Sequence, residues 1–92
     1  MTDGPQPPRW FVLHADAIDD IDFTAGKTLL EITTQLARLG IVFAVAEADP
    51  GLRAQLDRFG ITAVIGADRY YDSLRAARHA FHEEAGDSPA GA

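Results

Sequence analysis

The sequence contains no cysteine, and this absence excludes several kinds of chemistry. Without a thiol there is no disulfide, no thiolate nucleophile and no cysteine-ligated zinc site. Basic residues are also few, since eight Lys and Arg oppose fourteen Asp and Glu and give a formal charge of −6. Nucleic-acid binding requires a clustered basic surface, so nucleic acid is not an expected partner.

Long apolar runs are missing as well. No run approaches the roughly 20 residues that cross a bilayer, so we expect no direct insertion into a membrane. The start of the chain has no basic region followed by an apolar one and does not match a secretory signal. A chain without cysteines fits a reducing compartment, and the predicted location is the cytoplasm.

The common motifs of catalysis and nucleotide binding are not found. The sequence has no Gly-x-Ser-x-Gly turn, no Walker phosphate loop and no Gly-x-Gly-x-x-Gly fingerprint. Ser73 and Ser88 have no evident base. We therefore predict that the protein is not an enzyme, with no catalytic residues and no cofactor.

Two groups of residues have the side-chain types of metal ligands. The acidic stretch Asp16–Asp22 offers carboxylates to calcium or magnesium, but it lacks the alternating carboxylates and glycine of an EF-hand loop. His79 and His82 lie three apart near Glu83, whereas zinc requires a further placed ligand. The remaining histidine, His14, is distant in sequence. Solvation and helix capping explain these residues, and no metal site is predicted.

The chain of 92 residues suits one small domain, which buries only about 60–65% of the surface that its unfolded chain exposes. Residues 1–8 hold three of the five prolines and are typical of a solvated, disordered leader. Residues 84–92 are small and polar, as in a flexible tail. The predicted domain covers residues 9–83.

Apolar periodicity in this domain predicts three strands and three helices. Three-and-four spacing places Leu29, Ile32, Leu36 and Leu39 on the buried face of the first helix. The run Ile41–Ala46 is typical of a strand covered on both faces. The predicted elements are a strand at 10–13, a helix from 25 that Gly40 ends, a strand at 41–46, a helix that Asp49-Pro50 opens and Gly60 ends, a strand at 61–65, and a helix that Asp68 or Asp72 opens.

This β-α-β-α-β-α order predicts an α/β domain with a small, mostly parallel sheet. Short connections through helices join parallel strands by right-handed crossovers. Three strands leave two unpaired edges, and an unpaired edge accepts another strand. We therefore expect a protein partner or self-association at a sheet edge.

The stretch Asp22–Lys27 forms the corner between the first strand's loop and the first helix. Asp22 or Thr24 is a suitable N-cap, because either side chain accepts hydrogen bonds from free N–H groups of the first turn. We expect the small residues Ala25 and Gly26 to let this turn pass close to the preceding strand. Ligands and partners of open α/β sheets bind at such corners, beyond the carboxyl ends of strands.

Several phrases of the sequence, in order, resemble a STAS domain. The phrase from Trp10 to Ala25 resembles its strand, its apolar-acidic loop and the small-residue turn into a helix. The phrases Leu36–Ala46, Leu52–Ile61 and Tyr70–Ala77 are similar to its later elements. The resemblance covers about residues 9–82 and implies the fold of the anti-sigma factor antagonist-like superfamily. A full STAS domain starts with further β structure and a helix, so the chain is expected to be its C-terminal two-thirds, lacking the N-terminal strands.

Two STAS subfamilies differ at the corner. Anti-sigma factor antagonists carry Asp-Ser-Ser-Gly with a phosphorylated serine, whereas the cytoplasmic domains of SulP-type sulfate and anion transporters often carry Asp-x-Thr-Ala. This chain has Asp22-Phe23-Thr24-Ala25, and Phe23 at the serine position has no hydroxyl. The resemblance therefore implies the SulP-like subfamily, at the cytoplasmic face of the membrane.

We interpret the chain as a non-enzymatic STAS-like regulatory or protein-interaction module, related to the cytoplasmic domain of sulfate transporters. A sheet edge and the corner would bind a protein, such as a membrane transporter or a separate STAS fragment. One alternative is a phospho-switch of the anti-sigma factor antagonist type, with Thr24 as the phosphoacceptor. Another is nucleotide or small-anion binding at the helix start, where free N–H groups and Lys27 favour negative charge. The corner consists of Asp22, Phe23, Thr24, Ala25, Gly26 and Lys27.

Overall fold

The structure is a computed structural model that describes residues 9–85. The predicted leader and most of the predicted tail lie outside these residues, whereas Glu84 and Ala85 belong to the last helix. The elements are β1 (Arg9–His14), α1 (Phe23–Arg38), β2 (Ile41–Ala46), α2 (Pro50–Arg58), α3 (Ile61–Ile65), a 3₁₀ turn (Ala67–Arg69), β3 (Tyr70–Tyr71) and α4 (Leu74–Ala85).

The three strands form one parallel sheet in the order β1-β2-β3, which confirms the predicted α/β fold class. Strand β1 pairs with β2 along its whole length, from Arg9 opposite Ile41 to His14 opposite Ala46. Strand β3 is only two residues long and pairs with the end of β2. Within residues 9–85, β2 is therefore the one strand with neighbours on both sides, and β1 lies at an edge.

Helices cover both faces of the sheet. Alternate residues of a strand point to opposite faces, and Phe43 and Val45 of β2 point into a core with Leu52, Leu56 and Ile61 of α2 and α3. Helix α4 covers the other face, where the ring of Phe81 packs edge-on against Trp10 at 5.6 Å between centroids. Burial on both faces explains why residues 43–46 of β2 are almost inaccessible to solvent.

The predicted strand at residues 61–65 is wrong, because Ile61–Ile65 forms the short helix α3. Gly60 adopts a left-handed conformation (φ 87°), which turns the chain directly from α2 into α3. Ile61 and Ile65 both contact the core, but a spacing of four suits one face of a strand as well as of a helix, so the apolar pattern alone did not separate the two. The third strand is instead the pair Tyr70–Tyr71, eight residues after Thr62.

The buried face of α1 also differs from the prediction. Ile32 and Leu39 are 45% and 71% exposed, whereas the fully buried residues of α1 are Gly26 and Thr33. Leu29, Leu30 and Leu36 pack against the core as partly buried side chains. The Thr33 hydroxyl donates to the Leu30 carbonyl at 3.0 Å, so its burial leaves no unpaired hydroxyl.

Of the helix starts predicted for α2 and α4, the structure confirms the first and not the second. Asp49 caps α2 as predicted, accepting from the Leu52 N–H at 2.8 Å ahead of Pro50. Neither Asp68 nor Asp72 opens α4. Ser73 does so, because its hydroxyl oxygen accepts from the Ala76 N–H at 3.0 Å.

In the part of the chain that the structure describes, no helix combines the length and the apolar character needed to cross a membrane.

The small residue Gly26 in α1 is required by the packing of Phe59. A Cβ atom at position 26 would lie only 2.2 to 2.5 Å from three atoms of the Phe59 ring. The close approach thus joins α1 to the end of α2, rather than to the preceding strand as the sequence suggested.

We predict that Gly26→Ala destabilises the protein, because the Phe59 ring must leave its site. Overpacking costs about 1–3 kcal/mol, and the helix propensity of alanine returns at most about 1 kcal/mol. Gly51→Ala is the matched control, since its new Cβ would meet Asp49 Oδ1 at an ordinary 3.4 Å. Urea unfolding should show a lower free energy of unfolding for Gly26→Ala than for wild type, and an unchanged one for Gly51→Ala. Equal stabilities of the two variants would contradict the packing argument.

A hydrogen-bonded network anchors β3 to α2 and α3. The Thr62 hydroxyl donates to the Asp57 carboxylate, so its oxygen is left to accept from the Tyr70 hydroxyl at 2.7 Å. The Arg53 guanidinium lies over the Tyr70 ring, 3.8 Å from its centroid. Burial raises the pKa of the Tyr70 hydroxyl above its ordinary value.

This raised pKa predicts a loss of stability at alkaline pH. The unfolded chain releases the Tyr70 proton first, near pH 10, so the contribution of Tyr70 to stability is constant below that pH and falls as the pH rises through it. Tyr70→Phe should cost about 1 kcal/mol at pH 8 from the lost hydrogen bond. The difference in the free energy of unfolding between wild type and Tyr70→Phe, measured with urea, should be smaller at pH 11 than at pH 8. A difference that stays constant between pH 8 and pH 11 would contradict this role of Tyr70.

Candidate functional site

The corner Asp22–Lys27 is built around an N-cap. The Asp22 carboxylate accepts from the Ala25 N–H at 2.8 Å, so Asp22 rather than Thr24 caps α1. Thr24 is exposed, and the Phe23 ring is 71% exposed. The Lys27 ammonium lies 5.7 Å from the centroid of that ring. The corner therefore presents an aromatic ring, a hydroxyl and a cation to solvent next to a capped helix start.

The acidic loop before this corner is held from both sides. Ile18 and Ile21 pack against the core. On the polar side, the Gln55 side chain of α2 accepts from the Ile21 N–H at 3.0 Å and donates to the Asp20 carboxylate at 2.5 Å. One amide thus satisfies a backbone donor and a carboxylate of the loop, which fixes the position of the corner relative to α2.

A cluster of three side chains, His14, Asp16 and Glu47, lies where β1 and β2 end. His14 is the last residue of β1, and Glu47 directly follows β2. The His14 Nε2 atom lies 3.0 Å from a Glu47 carboxylate oxygen and 3.5 Å from an Asp16 carboxylate oxygen. Sequence reasoning grouped Asp16 with the later aspartates and left His14 unassigned. The predicted strands could have indicated that His14 and Glu47 lie close together, because the carboxyl ends of adjacent parallel strands meet at one edge of a sheet.

The histidines of α4 form no comparable group with His14. His79 pairs with Glu83 one turn later, at 3.3 Å, on an exposed surface. The His82 ring lies 5.3 Å from the Phe81 ring, measured between centroids. The structure therefore keeps these residues on the outer surface of one helix.

The edge strand β1 borders an apolar groove with a volume of about 510 Å³. The indole Nε1 of Trp10 is buried there without a hydrogen-bond partner among the described residues. The Arg69 guanidinium lies 5.1 Å from the Trp10 ring centroid and is held by Glu84 at 2.7 Å. The groove is lined by Arg9, Trp10, Val12, Leu74, Ala77, Arg78 and Phe81.

Backbone geometry shows which groups of β1 are free to pair. The Ala15 N–H donates to the Ala46 carbonyl at 2.8 Å, on the β2 side. Groups that point toward and away from a neighbouring strand alternate along a parallel ladder. The N–H of Val12, three residues earlier, therefore points away from β2. The outer side of β1 offers its own row of donors and acceptors beside the groove.

Comparison with known proteins shows that this sequence is similar to part of a probable sulfate transporter. A probable sulfate transporter of Mycobacterium tuberculosis, in strains CDC 1551 / Oshkosh and ATCC 25618 / H37Rv, is 38% identical over 77 residues, or 84% of this chain. The chain resembles a short segment of a sulfate transporter. It spans 14% of the length of these relatives. This similarity supports the predicted relation to sulfate transporters, while no family model matches the chain.

We predict that Gln55→Glu loosens the acidic loop. The substitution removes the donor to Asp20 and places two carboxylates together, which costs about 1–2 kcal/mol at neutral pH. Gln35→Glu on the exposed surface of α1 is the control with the same change of charge. Thermal unfolding should show a lower Tm for Gln55→Glu alone, and equal shifts in both variants would contradict the pinning role of Gln55.

Proposed function

We propose that the chain is a non-enzymatic STAS-like interaction module, related to the cytoplasmic domain of SulP-type sulfate and anion transporters. The similarity to a segment of a probable sulfate transporter supports this proposal. The α/β fold with a small parallel sheet is consistent with it. The module works at the cytoplasmic face of the membrane by binding a protein strand at the outer edge of β1.

The open edge of β1 is the observation that carries the proposal. In residues 9–85, no strand pairs with the outer side of this six-residue strand. Its side chains are apolar toward both faces, since Phe11 is 50% exposed on one face and Trp10 and Val12 line the groove on the other. Such an edge templates the addition of another strand, through main-chain hydrogen bonds and side-chain pockets.

A second copy of the chain is the occupant that we propose. Two copies related by a two-fold axis can pair their β1 strands antiparallel, which places the start of one strand beside the end of the other. Arg9 begins β1, and the acidic loop containing Asp16 and Asp20 follows its end. Antiparallel pairing thus brings opposite charges together at both ends of the interface and extends the sheet to six strands.

A non-enzymatic role fits the way the hydroxyl groups are used. Ser73 caps α4, and Thr33 and Thr34 both donate to the Leu30 carbonyl. Thr62 belongs to the network that anchors Tyr70. These hydroxyls have structural partners in place of a general base. Phosphorylation of Thr24 and anion binding near Lys27 stay predictions of the alternative functions.

The proposal predicts that Val12→Pro abolishes self-association without unfolding the protein. Proline removes only the N–H that points away from β2, and edge strands tolerate it. Val12→Ala is the control, because it shortens the side chain and keeps the N–H. Light scattering on untagged protein should give twice the chain mass for wild type and Val12→Ala, and the single chain mass for Val12→Pro, with equal circular dichroism. A folded wild-type monomer at high micromolar concentration would contradict self-pairing.

A further inference from the structure

We propose that His14, Asp16 and Glu47 form a binding site for a divalent transition-metal ion such as Zn²⁺. One imidazole and two carboxylates are a ligand set that suits zinc and its neighbours in the first transition row, rather than calcium or magnesium, which prefer oxygen ligands alone. The inference rests on the geometry at the carboxyl ends of β1 and β2 and is independent of the proposed function.

The separations of the donor atoms fit such an ion. Zinc bonds nitrogen and oxygen at about 2.0–2.1 Å, so ligand atoms in tetrahedral sites lie about 3.3 Å apart. Here the His14 nitrogen lies 3.0 Å from the Glu47 oxygen and 3.5 Å from the Asp16 oxygen. One donor atom from each of the three residues lies within 4.8 Å of the others. Small side-chain adjustments therefore suffice to surround an ion.

The backbone beneath the three side chains is already fixed. The Ala15 N–H, between His14 and Asp16, donates to the Ala46 carbonyl at 2.8 Å. The Glu47 N–H donates to the Tyr71 carbonyl at 2.8 Å. Ala15 is itself buried in the core. The two ligand-bearing segments are thus held by the sheet, and binding an ion requires little ordering of the chain.

The site is open to solvent, so a bound ion could also contact water or another molecule. The side chains of His14, Asp16 and Glu47 are 39%, 54% and 33% exposed. Three protein ligands leave a fourth tetrahedral position for water or for a donor atom of another molecule.

Calorimetric titration of Zn²⁺ into the untagged full chain tests the proposal. We expect one equivalent to bind, with affinity at least tenfold weaker in His14→Ala and in Asp16→Asn. His79→Ala is the matched control, because His79 also faces a glutamate but has no second carboxylate partner among the described residues. Its affinity should stay within twofold of wild type. Equal circular dichroism of all variants shows that the fold is intact.

Co²⁺ gives a second readout of the same site. A tetrahedral site with one nitrogen ligand should produce visible absorption bands that His14→Ala removes and His79→Ala keeps. Absence of saturable Zn²⁺ binding would overturn the proposal, as would unchanged binding in His14→Ala. Mg²⁺ binding as tight as that of Zn²⁺ and insensitive to His14→Ala would show a generally acidic surface and would also overturn it.

Discussion

The parallel pairing of β1 with β2 is the constraint on which the rest of the structure depends. Strand β2 is buried on both faces, so its residues 43–46 must find partners above, below and beside them. Helices α1, α2 and α3 supply one face, α4 the other, and β1 supplies the longest edge contact. The two residues of β3 cover only the end of the opposite edge. A sheet this narrow depends heavily on each pairing.

The same pairing positions every candidate site. Because β1 and β2 are parallel and in register, their carboxyl ends bring His14 and Glu47 together. The turn at Ala15 then directs the acidic loop toward α2, where Gln55 holds it and sets the start of α1. At the outer side of β1, no strand among residues 9–85 pairs with the backbone groups that lie beside the apolar groove. Strand β1 therefore contributes both to the fold and to the candidate binding sites.

Patterns of residues close together in the sequence correctly predicted several elements and helix caps. The apolar run of β2 and the Asp49-Pro50 start of α2 are examples, as is Asp22 as one of two predicted caps. The run Ile61–Ile65 was predicted as a strand, but four apolar residues with one threonine suit a short buried helix equally well. In the structure this run is the helix α3, which packs against α1 and α2.

Contacts between distant segments could not be predicted in this way. The close approach of Gly26 to Phe59, the residue that follows α2, has no signal near either residue in the sequence. The bond from Gln55 to Asp20 joins residues 35 apart and has no local signal. His14 with Glu47 is an intermediate case, since the order of parallel strands alone predicts that their ends meet.

In the proposed function, the outer edge of β1 accepts a strand from a second copy of the chain. The most direct test is amide hydrogen exchange of the untagged chain at low and high concentration. Pairing at this edge predicts that the Val12 amide is protected only at high concentration, while the Ala15 amide, bonded to Ala46, is protected at both. A Val12 amide that exchanges rapidly at both concentrations, beside a protected Ala15 amide, would contradict it.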